Sequence, residues 1–138
     1  MNDEVKKEIN DSGVMTIILN RPKSLNSLNY GLVTGVIEAF DEAASNKEVR
    51  SVILTGEGRG FCSGADLSGG GWPTKPEWTS GEISANNMEL FLNPMIKKIV
   101  ACPKPVINAI NGIAAGGGVG LALSGDILIA AKSAKFKI

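Results

Sequence analysis

The residues best placed to do chemistry in this chain are glycines, and what they offer is backbone N–H rather than a side chain. One cluster runs Gly112-Ile113-Ala114-Ala115-Gly116-Gly117-Gly118-Val119-Gly120, the other Gly60-Phe61-Cys62-Ser63-Gly64-Ala65-Asp66-Leu67. The first stands between an apolar strand-like run and a helix-like one. A helix that starts there leaves its first N–H groups unpaired at the positive end of its dipole, where an anion or a carbonyl oxygen can be received. The cluster is no nucleotide loop: G-x-G-x-x-G needs a glycine where Leu121 or Leu123 stands, and a P-loop needs Lys-Ser/Thr after its last glycine. Two such turns aimed at one oxygen would make an oxyanion hole. Close packing of helix on strand would also require glycines, so neither cluster alone decides the matter.

Side-chain chemistry is narrower. The chain has no histidine, so Ser63 and Cys62 lack an ordinary base, and Ser-His-Asp or Cys-His catalysis within it is excluded. Cys62 and Cys102 lie far apart without histidine partners and suggest neither a zinc site nor a disulfide framework. No metal is expected. Asp66, Glu89 and Asp126 are the acids closest in sequence to the glycine turns, and none reads as a general base. Asp66 fits a cap or turn residue and Asp126 a strand start.

The elements that must hold these turns can be read from periodicity. Val5–Asn10 and Val14–Leu19 form two β-rich runs around Asp11-Ser12-Gly13, hairpin punctuation. Leu28, Leu32, Val36 and Phe40 recur on one helical face, with Ser27 or Asn26 as the expected cap and Asn46 near the end. Ser51–Thr55 reads as a strand, and residues 68–80 as a Gly/Pro/Trp-rich loop, either facing the substrate or a surface excursion. Thr79 and Glu82 have capping-box spacing for a helix that runs to Ala101, kinked at Pro94. Val106–Ile110 and Asp126–Ala131 read as buried strands, and Lys135–Ile138 as the start of another. The uncharged stretch Val106–Gly125 is long enough to span a bilayer, but its glycines, Asn108 and Asn111 fit a buried strand, turn and core helix better. Alternating strands and helices predict an α/β fold in one domain, residues 1–138, incomplete at its C-terminus.

Composition bounds the partners. Fourteen basic and fourteen acidic residues balance, and no basic run exceeds Lys6-Lys7 or Lys97-Lys98, so no nucleic-acid surface is expected. The charged N-terminus carries no secretory pattern, and a cytoplasmic protein without a membrane partner is the expectation. Lys23 and Lys132 compete between solvated surface positions and contacts to phosphates.

Three segments, in this order and at these separations, resemble the crotonase or enoyl-CoA hydratase/isomerase superfamily. They are Leu19-Asn20-Arg21-Pro22-Lys23-Ser24-Leu25-Asn26-Ser27-Leu28, then Gly60 to Leu67, then Lys104-Pro105-Val106-Ile107-Asn108-Ala109-Ile110-Asn111-Gly112 running into Gly116-Gly117-Gly118. The resemblance covers nearly the whole chain and about the first half of a usual member. It implies a crotonase/ClpP-like spiral of ββα repeats and an acyl-CoA thioester as substrate, with coenzyme A part of that substrate and no separate cofactor. It implies catalytic N–H groups on Ala65 and Gly117, the middle glycine of the triple, with Ser24, Leu25 and the stretch Ala65, Asp66, Leu67, Ser68 bordering the CoA substrate. Hydratases of the family carry a glutamate where this chain has Gly120, and their second glutamate falls beyond Ile138. Double-bond isomerisation, which needs one base, is therefore favoured over hydration. The alternative is a non-catalytic acyl-CoA-binding or assembly module. A homotrimer or hexamer is the assembly the resemblance implies.

Overall fold

The structure is a computed structural model that describes residues 3–138. Strands β1 (Val5–Ile9) and β2 (Val14–Leu19) form the expected antiparallel hairpin. Its turn is held by the Asn10 side chain, whose Oδ1 accepts from the amides of Ser12 and Val14 at 3.0 Å each. Along β2 the alternation is strict, and Met15, Ile17 and Leu19 are wholly buried.

Helix α1 (Tyr30–Ser45) lays Leu32, Val33, Val36, Ala39, Phe40 and Ala43 against the core. Each of the larger side chains, Leu32, Val33, Val36 and Phe40, contributes about 1.5–3 kcal/mol on burial. Its cap is Asn29, whose Oδ1 accepts from Leu32 N at 2.8 Å, rather than Asn26 or Ser27. Asn26 is occupied elsewhere: wholly buried at φ 55°, it accepts from Arg21 N at 2.8 Å and donates to the carbonyls of Glu57 and Gly60 at 3.1 and 2.9 Å. Asn46 closes the helix as expected, donating to Glu42 O at 2.8 Å.

Two sheets grow side by side. Strands β3 (Ser51–Gly56), β5 (Val106–Ile110) and β7 (Ile127–Ala130) extend β2 in parallel, giving the order β1-β2-β3-β5-β7. Strands β4 (Gly60–Cys62), β6 (Ile113–Ala115) and β8 (Phe136–Lys137) form a second parallel sheet in that order. Twice a strand of the large sheet passes to one of the small sheet before a helix follows, β3 to β4 and β5 to β6, a ββα repeat. The stretch 112–120 is not a single turn, because β6 interrupts it before α4 (Gly117–Ala122) begins. β7 is also not buried: all four residues are exposed, because it is the last strand of its sheet among the described residues. Val106–Gly125 is divided among β5, β6 and α4, and no helix among the described residues is long and apolar enough to cross a membrane.

Between the repeats, α2 (Ser80–Asn87) starts at the expected capping box, with Thr79 N donating to Glu82 Oε2 at 2.7 Å and Glu82 N to Thr79 Oγ1 at 3.3 Å. The break foreseen at Pro94 is taken up by a π-helical turn, Met88–Leu92, before α3 (Asn93–Val100). A wider turn absorbs the bond that proline cannot donate.

Candidate active site

The Gly60–Leu67 cluster is fixed by the turn that precedes α1. Leu28 bridges Ala65 in parallel: Leu28 N donates to Gly64 O at 2.7 Å, and Asp66 N donates to Leu28 O at 3.0 Å. In a parallel bridge of this kind the central residue, Ala65, turns its own N–H away from the partner strand. Arg21 fastens the same junction. Its guanidinium donates to Ser27 O at 2.7 Å, pairs with Asp66 Oδ2 at 2.8 Å and reaches Glu4 Oε1 at 3.2 Å. The Ser68 amide and hydroxyl close an Asx turn on the other oxygen of Asp66. Donation from the Ser68 hydroxyl and amide, and then from Arg21, holds the Asp66 carboxyl down at about 2. Asp66 is thus a turn residue and does not cap a helix.

The Gly112–Gly120 cluster comes to lie against it. Gly64 has φ +97°, and a β-carbon there would stand 2.8 Å from Ala115 O and 3.6 Å from Gly117 N. Only glycine tolerates both the conformation and the approach. Gly118 is tighter still, its hypothetical β-carbon falling 2.1 Å from Cys62 O. Absence of a side chain at 118 lets α4 press on β4 and sets Gly117, the first residue of α4, beside Gly64. At the far end of α4, Asn108 Nδ2 donates to Leu121 O and Ala122 O at 3.0 and 2.9 Å, tying the helix to β5. Burial pushes the Cys62 thiol up to about 11, against a smaller downward pull from Gly64, so Cys62 is packing rather than a nucleophile.

Ala65 and Gly117 line one cavity of about 640 Å³. Among the described residues neither N–H has a hydrogen-bond acceptor, and both residues are exposed. The remaining lining is mostly apolar, with Leu28, Trp72, Met88, Leu92, Met95 and Ile96 as its walls, and Gly120 also lies on it. Two unengaged amides in apolar surroundings suit an oxygen that carries partial negative charge.

The other residues singled out from sequence divide as follows. Asp66 lines this cavity and also a polar cleft that holds Arg21, Asn29, Tyr30 and Ser68. Leu67 projects outward at 98% exposure. Ser24 lines a separate surface cleft with Pro22 and Lys23. Leu25, at φ 52°, packs its side chain against Gly60. Asp126 accepts from Val106 N at 2.8 Å and so pins the start of β5, while Glu89 sits exposed in the π-helical turn. Sequence reasoning missed the cavity wall made by the π-helical turn and its neighbours. It also missed the cluster of Tyr30, Trp72 and Phe91, with ring centroids 5.2 to 6.1 Å apart, which holds the loop after Ser68 against α1. The loop rich in Gly, Pro and Trp therefore faces the cavity at Gly69 and Trp72.

A family model described as enoyl-CoA hydratase/isomerase matches residues 9–138. Over 127 residues the chain is 46% identical to 1,2-epoxyphenylacetyl-CoA isomerase of Escherichia coli (strain K12), covering 91% of this chain and 47% of that protein. It is 35% identical over 130 residues to enoyl-CoA hydratase AKT6-1 of Alternaria alternata, covering 93% of this chain and 40% of that one. The solved structure of an enoyl-CoA hydratase from Bacillus anthracis superposes with a TM-score of 0.83 at 32% identity, over 96% of this chain and 49% of that chain. The chain spans about half the length of these relatives. With the ββα repeats, this agreement in sequence and fold shows that the chain belongs to the enoyl-CoA hydratase/isomerase family.

Proposed function

We propose that this chain supplies the enolate-stabilising part of an acyl-CoA enzyme, with the amides of Ala65 and Gly117 donating to the thioester carbonyl oxygen. The observation that carries the reading is their placement, unengaged, on one apolar cavity. A base other than the cavity residues described takes a proton from the carbon next to the thioester carbonyl and, in isomerisation, returns it at the far carbon; meanwhile the C–H electron pair moves towards the carbonyl oxygen. Each donor aimed there contributes about 3 kcal/mol to the transition state. The apolar walls take the acyl group, while Ser24, Leu25 and the stretch Asp66–Ser68 border the CoA moiety. CoA belongs to the substrate, and no further cofactor is invoked.

Isomerisation is favoured over hydration. Gly120 lies on the cavity without a carboxylate, and Asp66 is the only ionisable side chain among the lining residues described. A carboxyl held down at about 2 is a poor base at neutral pH. Turnover of 3-enoyl-CoA into 2-enoyl-CoA, faster than hydration of the latter, is the expected assay result. Rapid hydration without isomerisation would overturn the ordering. The same shortage of a base on the cavity favours one second reading, an acyl-CoA-binding or assembly module without catalysis. Tight acyl-CoA binding by calorimetry with no turnover of either substrate would support it. Assembly as a trimer or a pair of trimers completes the proposal, and a monomeric native mass would contradict it.

A further inference from the structure

Asn87 is the last residue of α2, and its side chain is out of character with the wall it belongs to. It is only 8% exposed, lines the cavity that holds Ala65 and Gly117, and leaves its Oδ1 without a hydrogen-bond partner among the described residues. A buried amide oxygen without a partner costs about 1–3 kcal/mol; Met88, Leu92, Met95 and Ile96 on the wall give it nothing to bond, and the polar Ser84 and Asn93, also on the wall, do not bond to it. Asn87 also stands immediately before the π-helical turn Met88–Leu92. A π-turn adds a residue to the helical repeat, and such insertions recur at functional sites. It allows Ser84 and Asn87 before the turn, Met88 and Leu92 within it, and Met95 and Ile96 after it to share one wall.

We propose that Asn87 is a specificity-determining residue, a polar anchor for an acyl group that carries a hydroxyl or similar oxygen substituent away from the thioester. This rests on the acyl-CoA reading above and narrows its substrate class. Oδ1 itself has no appreciable accessible surface as it stands, so a half-turn of the amide about its soft terminal torsion brings it to a hydroxyl in the cavity, and in either orientation the amide offers an acceptor or a donor to a substituent oxygen. An unsubstituted acyl chain leaves it unpaired. A site built around such a bond discriminates strongly against the analogue that lacks it.

The test measures dissociation constants of the protein by calorimetry for hexanoyl-CoA and for its 4-, 5- and 6-hydroxy derivatives. At least one hydroxy derivative is expected to bind about tenfold or more tightly than hexanoyl-CoA, about 1.4 kcal/mol. In Asn87→Leu that preference is expected to vanish or invert, with hexanoyl-CoA itself bound more tightly. Asn87→Ala, which keeps the helix well formed, gives the same comparison if the leucine variant does not fold. An equal preference in the wild type and both variants would overturn the proposal while leaving the acyl-CoA reading intact. Failure of the wild type to bind any of the four would overturn the acyl-CoA reading itself.

Discussion

Replacing Gly118 by alanine places a β-carbon 2.1 Å from the carbonyl oxygen of Cys62 and 3.0 Å from the Cys62 β-carbon. Carbon contacts settle near about 3.5–4.0 Å, so α4 must retreat from β4 by about 1 Å or more. The obstacle is strand backbone, which yields little, and overpacking of this kind costs about 1–3 kcal/mol. Alanine's helix advantage over glycine, about 1 kcal/mol, offsets only part of that. Gly120 lies two residues on in the same short helix, but a β-carbon there meets nothing within 4 Å. Gly120→Ala is therefore expected to stabilise by about 0.5–1 kcal/mol. The pair separates packing from propensity. Gly117 directly precedes Gly118, so a retreat of α4 also moves the Gly117 amide away from Gly64 and Ala65. Loss of one donor of an oxyanion hole lowers kcat by about 100- to 1,000-fold. Urea unfolding followed by circular dichroism, together with enoyl-CoA turnover, reads both effects. A Gly118→Ala protein with wild-type midpoint and wild-type turnover would refute the reasoning, as would a Gly120→Ala protein less stable than the wild type.

Three further outcomes follow from the same geometry. Gly120→Glu brings a carboxylate onto a cavity wall with open space beside it, and is expected to raise hydration of 2-enoyl-CoA relative to isomerisation; an unchanged ratio counts against the role given to that position. Asp66 is held down at about 2 by Ser68 and Arg21, so its carboxylate stabilises the fold above its unfolded value of about 4 and that contribution fades as pH falls towards 2. The melting-temperature gap between wild type and Asp66→Asn should accordingly close between pH 4 and pH 2, and a gap that stays constant contradicts the pairing. Burial raises Cys62 from 9.0 to about 11, so stability is full below pH 9 and declines as pH climbs through 11. At pH 8 a thiol reagent should modify the half-buried Cys102 first and Cys62 only on unfolding. Labelling of Cys62 in the folded protein as fast as Cys102 would sink this.

Features set by neighbouring residues were legible in the sequence. The β1–β2 hairpin, the apolar face of α1 and the Thr79–Glu82 capping box each depend on groups a few positions apart, and each stands where its pattern places it. Features that depend on distant partners were not. Local spacing offered Ser27 or Asn26 as the cap; Asn26 instead bonds to Glu57 and Gly60, more than thirty residues away, and Asn29 caps the helix. Three residues of β6 are too few to show a period. The burial expected of β7 depends on what lies across the sheet, which its own apolar run does not state. For the site, the glycine clusters marked backbone that the fold brings to one cavity at Ala65 and Gly117. The Arg21–Asp66 pair bridges 45 positions, and the cavity wall of Trp72, Asn87 and the π-helical turn forms only once the repeats have stacked.

The account depends on two backbone amides meeting one oxygen, and amide NMR of the isotope-labelled protein titrated with an acyl-CoA addresses that directly. The N–H protons of Ala65 and Gly117 should move downfield together and saturate at one ligand concentration, as a shared hydrogen-bond acceptor requires. Saturable acyl-CoA binding that leaves either of the two resonances where it stood would contradict the account.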